Sequence, residues 1–149
     1  MEVHVRTARL TDLDAAVRLL ASGEPVDQPP RHDVADILRN LLFVPSATVV
    51  VAERDRRVVG VGVLAIRPSV RSGPFVGVID ELGLATAETL EGPDRRRAAD
   101  EIIEALASSA RNKGCTRVEV TEPLASAEPS LWKRHRFASR GRTLGRPIG

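Results

Sequence analysis

Phe75-Val76-Gly77-Val78-Ile79-Asp80-Glu81-Leu82-Gly83-Leu84 is the run that most constrains the architecture of this chain. It is rich in β-branched and aliphatic residues and bounded by Gly73-Pro74 before and a polar segment after, which predicts a strand. Strict alternation would put Val76, Val78, Asp80, Leu82 and Leu84 on one face, and Ile79 and Glu81 on the other. From Asp94 to Lys113 the period changes. Ala99, Ile102, Ile103, Leu106, Ala107 and Ala110 recur at the spacing of one helix face, and Gly114 supplies a terminator. Cys115 to Glu122 is again a strand, with Val118 and Val120 inward. Strand, helix and strand in this order make a crossover unit with two parallel strands.

Working upstream, Ala47–Ala52 and Val58–Ile66 are β-rich runs parted by the polar stretch Glu53–Arg57, so they read as a hairpin, and Arg67–Pro74 reads as a loop. Val3–Ala8 reads as a first strand. A helix follows with Thr11 as N-cap, Asp14 as its capping-box partner, and Leu13, Ala16, Val17, Leu20 and Ala21 on its buried side. Gly23 ends it, and the proline-bearing stretch Glu24–Arg31 is a loop. A second helix starts near Asp33 with the stripe Val34, Ile37, Leu38, Leu41 and Leu42. Downstream, Ser126–Arg136 reads as a short last helix, and Phe137 onward as an optional edge strand. The order is β-α-α-β-β-β-α-β-α-(β). An antiparallel meander joined to a crossover gives an α/β (α+β) domain with a mixed, mostly antiparallel sheet flanked by helices.

At 149 residues the chain is expected to form a single domain over 1–149. With three Phe, one Trp and no Tyr, its core must be aliphatic. The 22 basic and 20 acidic side chains leave a net charge of +2, which selects no partner class by itself. Cys115 is the single cysteine, so neither an intrachain disulfide nor a thiolate metal cluster is expected. His4, His32 and His135 lack metal-ligand spacing. No signal-like apolar region opens the chain, and no run approaches the roughly 20 apolar residues of a membrane span. A cytoplasmic protein without a membrane partner is the expectation. The basic stretch Lys133–Arg146 lacks an aromatic stacking platform, so nucleic acid is not the expected partner.

Several strings, in this order, resemble the GNAT family of acetyl-CoA-dependent N-acetyltransferases. Val5-Arg6-Thr7-Ala8 with Asp12-Leu13 is similar to the family's opening strand and helix, and Val51–Gly60 to its second hairpin. Ile79–Leu84 resembles the fourth strand, and Leu131-Trp132 to Phe137 resembles the last-helix segment. The resemblance covers nearly the whole chain. It implies that the fourth strand splays from the fifth, and that backbone near its end, at Leu82 and Leu84, holds the acyl carbonyl and pantetheine of acetyl-CoA. It also implies that the following loop and helix start, here Asp94-Arg95-Arg96-Arg97-Ala98-Ala99, wrap the pyrophosphate.

This chain departs from that pattern in places. Asp94 replaces a polar or basic residue, and Arg97 replaces a glycine. Two readings stay open: Arg95, Arg96 and Arg97 supply guanidinium contacts in place of glycine geometry, or Gly92-Pro93-Asp94 is a good helix start and the arginines are a solvated first turn. Trp132 stands where many family members carry the tyrosine that protonates the departing thiolate, and an indole N–H cannot act as an acid near neutral pH. A large apolar filler is one reading of Trp132. A slower enzyme relying on water or Cys115 is the other consequence.

An amine must lose a proton to attack a thioester, and a strand carboxylate is a suitable base. Asp80 and Glu81 are adjacent and, on alternation, face opposite ways, so one of them would line the cleft. The resemblance favours Glu81, with Glu122 at the end of the next strand as a further candidate; pairing of all three with arginines is the alternative. The expected activity is acetyl transfer from acetyl-CoA to a small-molecule or protein amine, with a homodimer as one assembly. The alternative is a GNAT-fold protein that binds a ligand or partner after losing CoA binding.

Overall fold

A computed structural model describes residues 2–21, 34–141 and 143–148. Five strands, β1 (His4–Thr7), β2 (Ala47–Arg54), β3 (Arg57–Pro68), β4 (Phe75–Leu84) and β5 (Cys115–Val120), lie side by side in chain order. The first four pair antiparallel, and β5 runs parallel to β4. The expected mixed, mostly antiparallel sheet is therefore the one that forms. The parallel step needs a crossover, and α3 (Gly92–Asn112) provides it.

α3 covers one face of the sheet, where Ile102, Ile103 and Leu106 join Val50, Leu64 and Ile79 in the larger core cluster. α1 (Leu13–Ala21) and α2 (Val34–Leu41) cover the other, where Ala16, Leu20 and Leu38 meet Val49, Val51, Val61 and Val63. The glycines of β3 set the closeness of the first contact. A Cβ on Gly60 would stand 2.9 Å from Ile102 Cδ1, and one on Gly62 would overlap Ile102 Cγ2. Gly60-Val61-Gly62 is thus a docking strip for α3. The tight β2–β3 turn has positive φ at Asp55 (53°) and Arg56 (66°), the backbone twist that matches a hairpin.

Some expectations are corrected. The start of α1 is held by Asp12 rather than by Thr11: Arg9 N–H donates to Asp12 Oδ2 at 2.8 Å, closing a 3-10 turn over Leu10–Asp12. Asp12 is buried and also grips Arg6 through bonds of 2.7 and 3.0 Å, while Arg6 reaches Glu53 on β2. The outer residue of the α2 stripe, Ile37, is exposed. β3 runs on to Pro68, which shortens the loop before β4. The last helix is two pieces, α4 (Leu124–Ala127) and α5 (Pro129–Arg134), because Glu128 adopts a non-helical backbone ahead of Pro129. No strand follows Phe137 among the described residues. Gly23, the loop Glu24–Arg31 and Asp33 lie outside the described residues. No helix among the described residues is long and apolar enough to cross a membrane.

Candidate functional site

The site is organised by one extra residue in β4. Leu64 pairs with Ile79 and Val63 pairs with Glu81, so Asp80 has no partner of its own on β3. A bulge of this kind reverses the in–out alternation beyond it. Ile79, Leu82 and Leu84 consequently all pack on the α3 side. Gly83 faces α1, with the Leu19 carbonyl 3.0 Å from where its Cβ would be. Asp80 and Glu81 both line one cavity of about 40 Å³ beside α1 and α2, walled by Leu20, Leu38 and Val63. The alternation that sent these two carboxylates to opposite faces is corrected by the bulge.

The bulge sits where the sheet begins to part. The β4–β5 ladder runs from Phe75/Cys115 to Ile79/Val120 and stops. β4 continues to Leu84, whereas the chain after Val120 turns away into α4. Leu82 and Leu84 on one arm, and Val120 and Leu124 on the other, stay half-buried against the core cluster that holds Leu131 and Trp132. Trp132 is 4% exposed and donates Nε1–H to the Leu124 carbonyl at 2.9 Å. Phe137 meets it edge-on, with centroids 5.3 Å apart. Its one polar hydrogen is thus spent on packing α5 against α4, which favours the filler reading.

Glu122 lies past the end of β5, exposed, where it accepts the Ser126 hydroxyl. It does not line the Asp80–Glu81 cavity. Cys115 pairs opposite Phe75, at the other end of β4 from Leu84. Nine residue steps of strand put it roughly 30 Å from that end, and burial pushes its thiol pKa up. It is removed from any proton transfer near Leu84.

α3 begins at Gly92, two residues before Asp94, with Glu91 as N-cap and Pro93 in the first turn. Arg95 N–H already bonds to the Glu91 carbonyl at 2.7 Å, so the amides from Arg95 to Ala99 belong to the helix ladder. Ala98 and Ala99 face the core, 0% and 2% exposed. Arg95 Nε donates to the Ala85 carbonyl at 3.2 Å, Arg97 pairs with Glu101 at 3.3 Å, and Arg96 is exposed. Asp94 is held by Arg54 at 3.0 Å, and the same guanidinium donates to the Thr89 carbonyl at 2.9 Å. Leu90, fully buried, pins the loop from below. Arg54 is not legible as a site residue in the sequence because it sits at the end of a hairpin strand, 40 positions from its partner. No local signal marks such a pair.

Among the described residues no group of three or more His, Cys, Asp or Glu side chains can hold a metal ion. No protein-family model matches the chain. No curated protein sequence matches it. Solved structures do match. An aminoglycoside N-acetyltransferase in complex with CoA superposes with a TM-score of 0.77 at 18% identity, covering 99% of this chain and 95% of its own. A ribosomal-protein-alanine N-acetyltransferase from Brucella melitensis biovar Abortus 2308 gives 0.73 at 19% identity, covering 99% and 100%. A transcriptional regulator from Bacillus halodurans C-125 gives 0.77 at 16% identity, with the same coverage. The chain therefore has the GNAT fold. Proteins with different names share that fold, so the activity has to be argued from the site.

Proposed function

We propose that this chain transfers an acyl group, acetyl in the simplest case, from a CoA thioester to an amine. The observation that carries the reading is the bulged β4 arm. It parts from β5 beyond Ile79/Val120 and turns Glu81 toward the cavity opposite the arm's α3-facing leucines. The thioester would lie along the half-buried arm at Leu82 and Leu84, with its carbonyl near their backbone. Arg95, Arg96, Arg97 and the first-turn amides at Gly92 and Asp94 would meet the phosphates. Ala98 and Ala99 would contribute only by their small size beneath. The amine would attack the thioester carbon, and its proton would pass to Glu81 directly or through water. Collapse of the tetrahedral adduct breaks the C–S bond. The sulfur leaves as a thiolate, which a thiol of pKa about 8.5 can do without an acid from Trp132. Glu122 would serve only if the acceptor reaches α4. A cytoplasmic setting and a small-molecule or protein amine acceptor belong to the same proposal.

A second reading is favoured by a specific observation. α3 starts early enough to absorb the amides of Arg95–Ala99, and Asp94 places a carboxylate where a pyrophosphate would lie. On that reading the fold binds a ligand or partner and has lost CoA. Isothermal titration with acetyl-CoA, beside an Arg95→Ala/Arg97→Ala variant, separates the two. Binding at about micromolar Kd that the variant loses supports the enzyme. No heat at about millimolar acetyl-CoA abandons it in favour of the second reading.

A further inference from the structure

We propose that the groove at the opposite end of the sheet, beneath the last turn of α3, is a binding site for an amphipathic monocarboxylate. The groove has a volume of about 400 Å³, within the range of small-molecule sites. It lies where β1 ends at Thr7, β2 begins at Ala47, and α3 closes with Ser109 and Lys113. It is separate from the β4 arm, since α3 reaches that arm with its other end.

Its lining has a polar floor and an apolar wall. Among the described residues, Lys113 is the one charged side chain in the lining, and no carboxylate lines it. The ammonium is held in place by the Pro45 carbonyl at 2.9 Å and the Ala47 carbonyl at 3.1 Å, which use two of its three protons. Thr48 Oγ1 and Ser109 Oγ lie 2.7 Å apart. One hydroxyl proton makes that bond, so the other is left to donate. A fixed ammonium proton and a hydroxyl proton thus stand over the same floor, an arrangement that takes a carboxylate. The usual competitor at a helix C-terminus, its bare carbonyls, is muted here. Ser109 and Ala110 carbonyls accept from Lys113 N–H, and Arg111 carbonyl accepts from Gly114 N–H. The wall is formed by Leu41, Leu42, Phe43 and Val44, and Phe43 is 69% exposed at its rim. An unbranched apolar tail running toward Phe43 would cover side chains that otherwise meet water.

Octanoate is the probe, with 1-octanol as the uncharged control, followed by amide chemical-shift titration of the full chain. The expected result is saturable octanoate binding, with shifts centred on Thr48, Ser109 and Lys113. Lys113→Gln keeps donors for the two carbonyls but removes the charge. It should weaken octanoate at least about tenfold and leave octanol unchanged. Ser109→Leu, which fills the floor, should abolish octanoate binding while the melting temperature confirms a folded chain. No saturation by about 5 mM octanoate overturns the proposal, as do equal affinities for octanoate and octanol or shifts centred elsewhere.

Discussion

Glu81 and Asp80 are neighbours in sequence, and the bulge makes them neighbours on one face. If Glu81 takes the amine proton, Glu81→Gln lowers kcat/KM for acetyl transfer by about a hundredfold while the melting temperature barely moves. Steady-state kinetics with an accepted amine, beside a thermal melt, check this. An equal loss of stability and activity would reduce Glu81 to a structural residue. Gly62 carries a different kind of constraint. Its missing side chain lets Ile102 of α3 reach the sheet, so Gly62→Val is expected to destabilise by about 1–3 kcal/mol, read from urea unfolding. Both residues sit in strands that the sequence predicts, but neither the bulge nor the seat of Ile102 on Gly62 follows from that. A glycine in a β-run signals close approach wherever the partner is, whereas a bulge leaves no local mark.

At the scale of elements, the acyltransferase reading turns on the junction between β4 and α3, where it places the CoA phosphates. Here the helix begins at Gly92, and the loop before it is tied by Arg54, Arg95 and the buried Leu90. A helix start at Gly92-Pro93-Asp94 is one of the two readings that the sequence leaves open, and α3 does begin at Gly92. The Arg54–Asp94 pair across to β2 was not legible, because it depends on which strand edge lies beside the loop. Asp94→Asn removes a negative charge from the helix start and frees Arg54 for an anion. Under the acyltransferase reading, titration should show acetyl-CoA binding about three- to tenfold tighter than in the unaltered chain. Unchanged or weaker binding would place the phosphates elsewhere. The last helix is a similar lesson. Its apolar residues were seen, but its break at Glu128-Pro129 and its docking through Trp132 to Leu124 depend on contacts with the core.

For the whole molecule, stability is expected to fall in acid through two carboxylates held in charge-assisted bonds, Asp12 and Asp100. The bonds from Arg6 hold Asp12 below the usual carboxylate range, although burial alone would raise it. Burial likewise pushes the Asp100 carboxyl up, but bonds from His135 and Arg134 outweigh it and leave it lowered. A lowered folded pKa means that the unfolded chain takes up protons first. The stabilisation is complete about a unit or more above the unfolded value of about 3.9 and drains away as pH falls from about 5 through the folded values. Urea midpoints from pH 7 down to 3 should drop most steeply below about pH 5, and Asp12→Ala should flatten that drop while costing about 2–4 kcal/mol at pH 7. The element order as far as β5, the crossover, the aliphatic core and the α3 stripe are legible in the amino-acid sequence, because periodicity and turn chemistry act over a few neighbouring residues. Tertiary contacts make Asp80 the bulge, bring Asp80 and Glu81 to one cavity, set Arg54 against Asp94, and hold the Trp132 N–H on Leu124. Each of these is set by the register or contact of segments far apart in the chain, and no local pattern encodes where such segments meet.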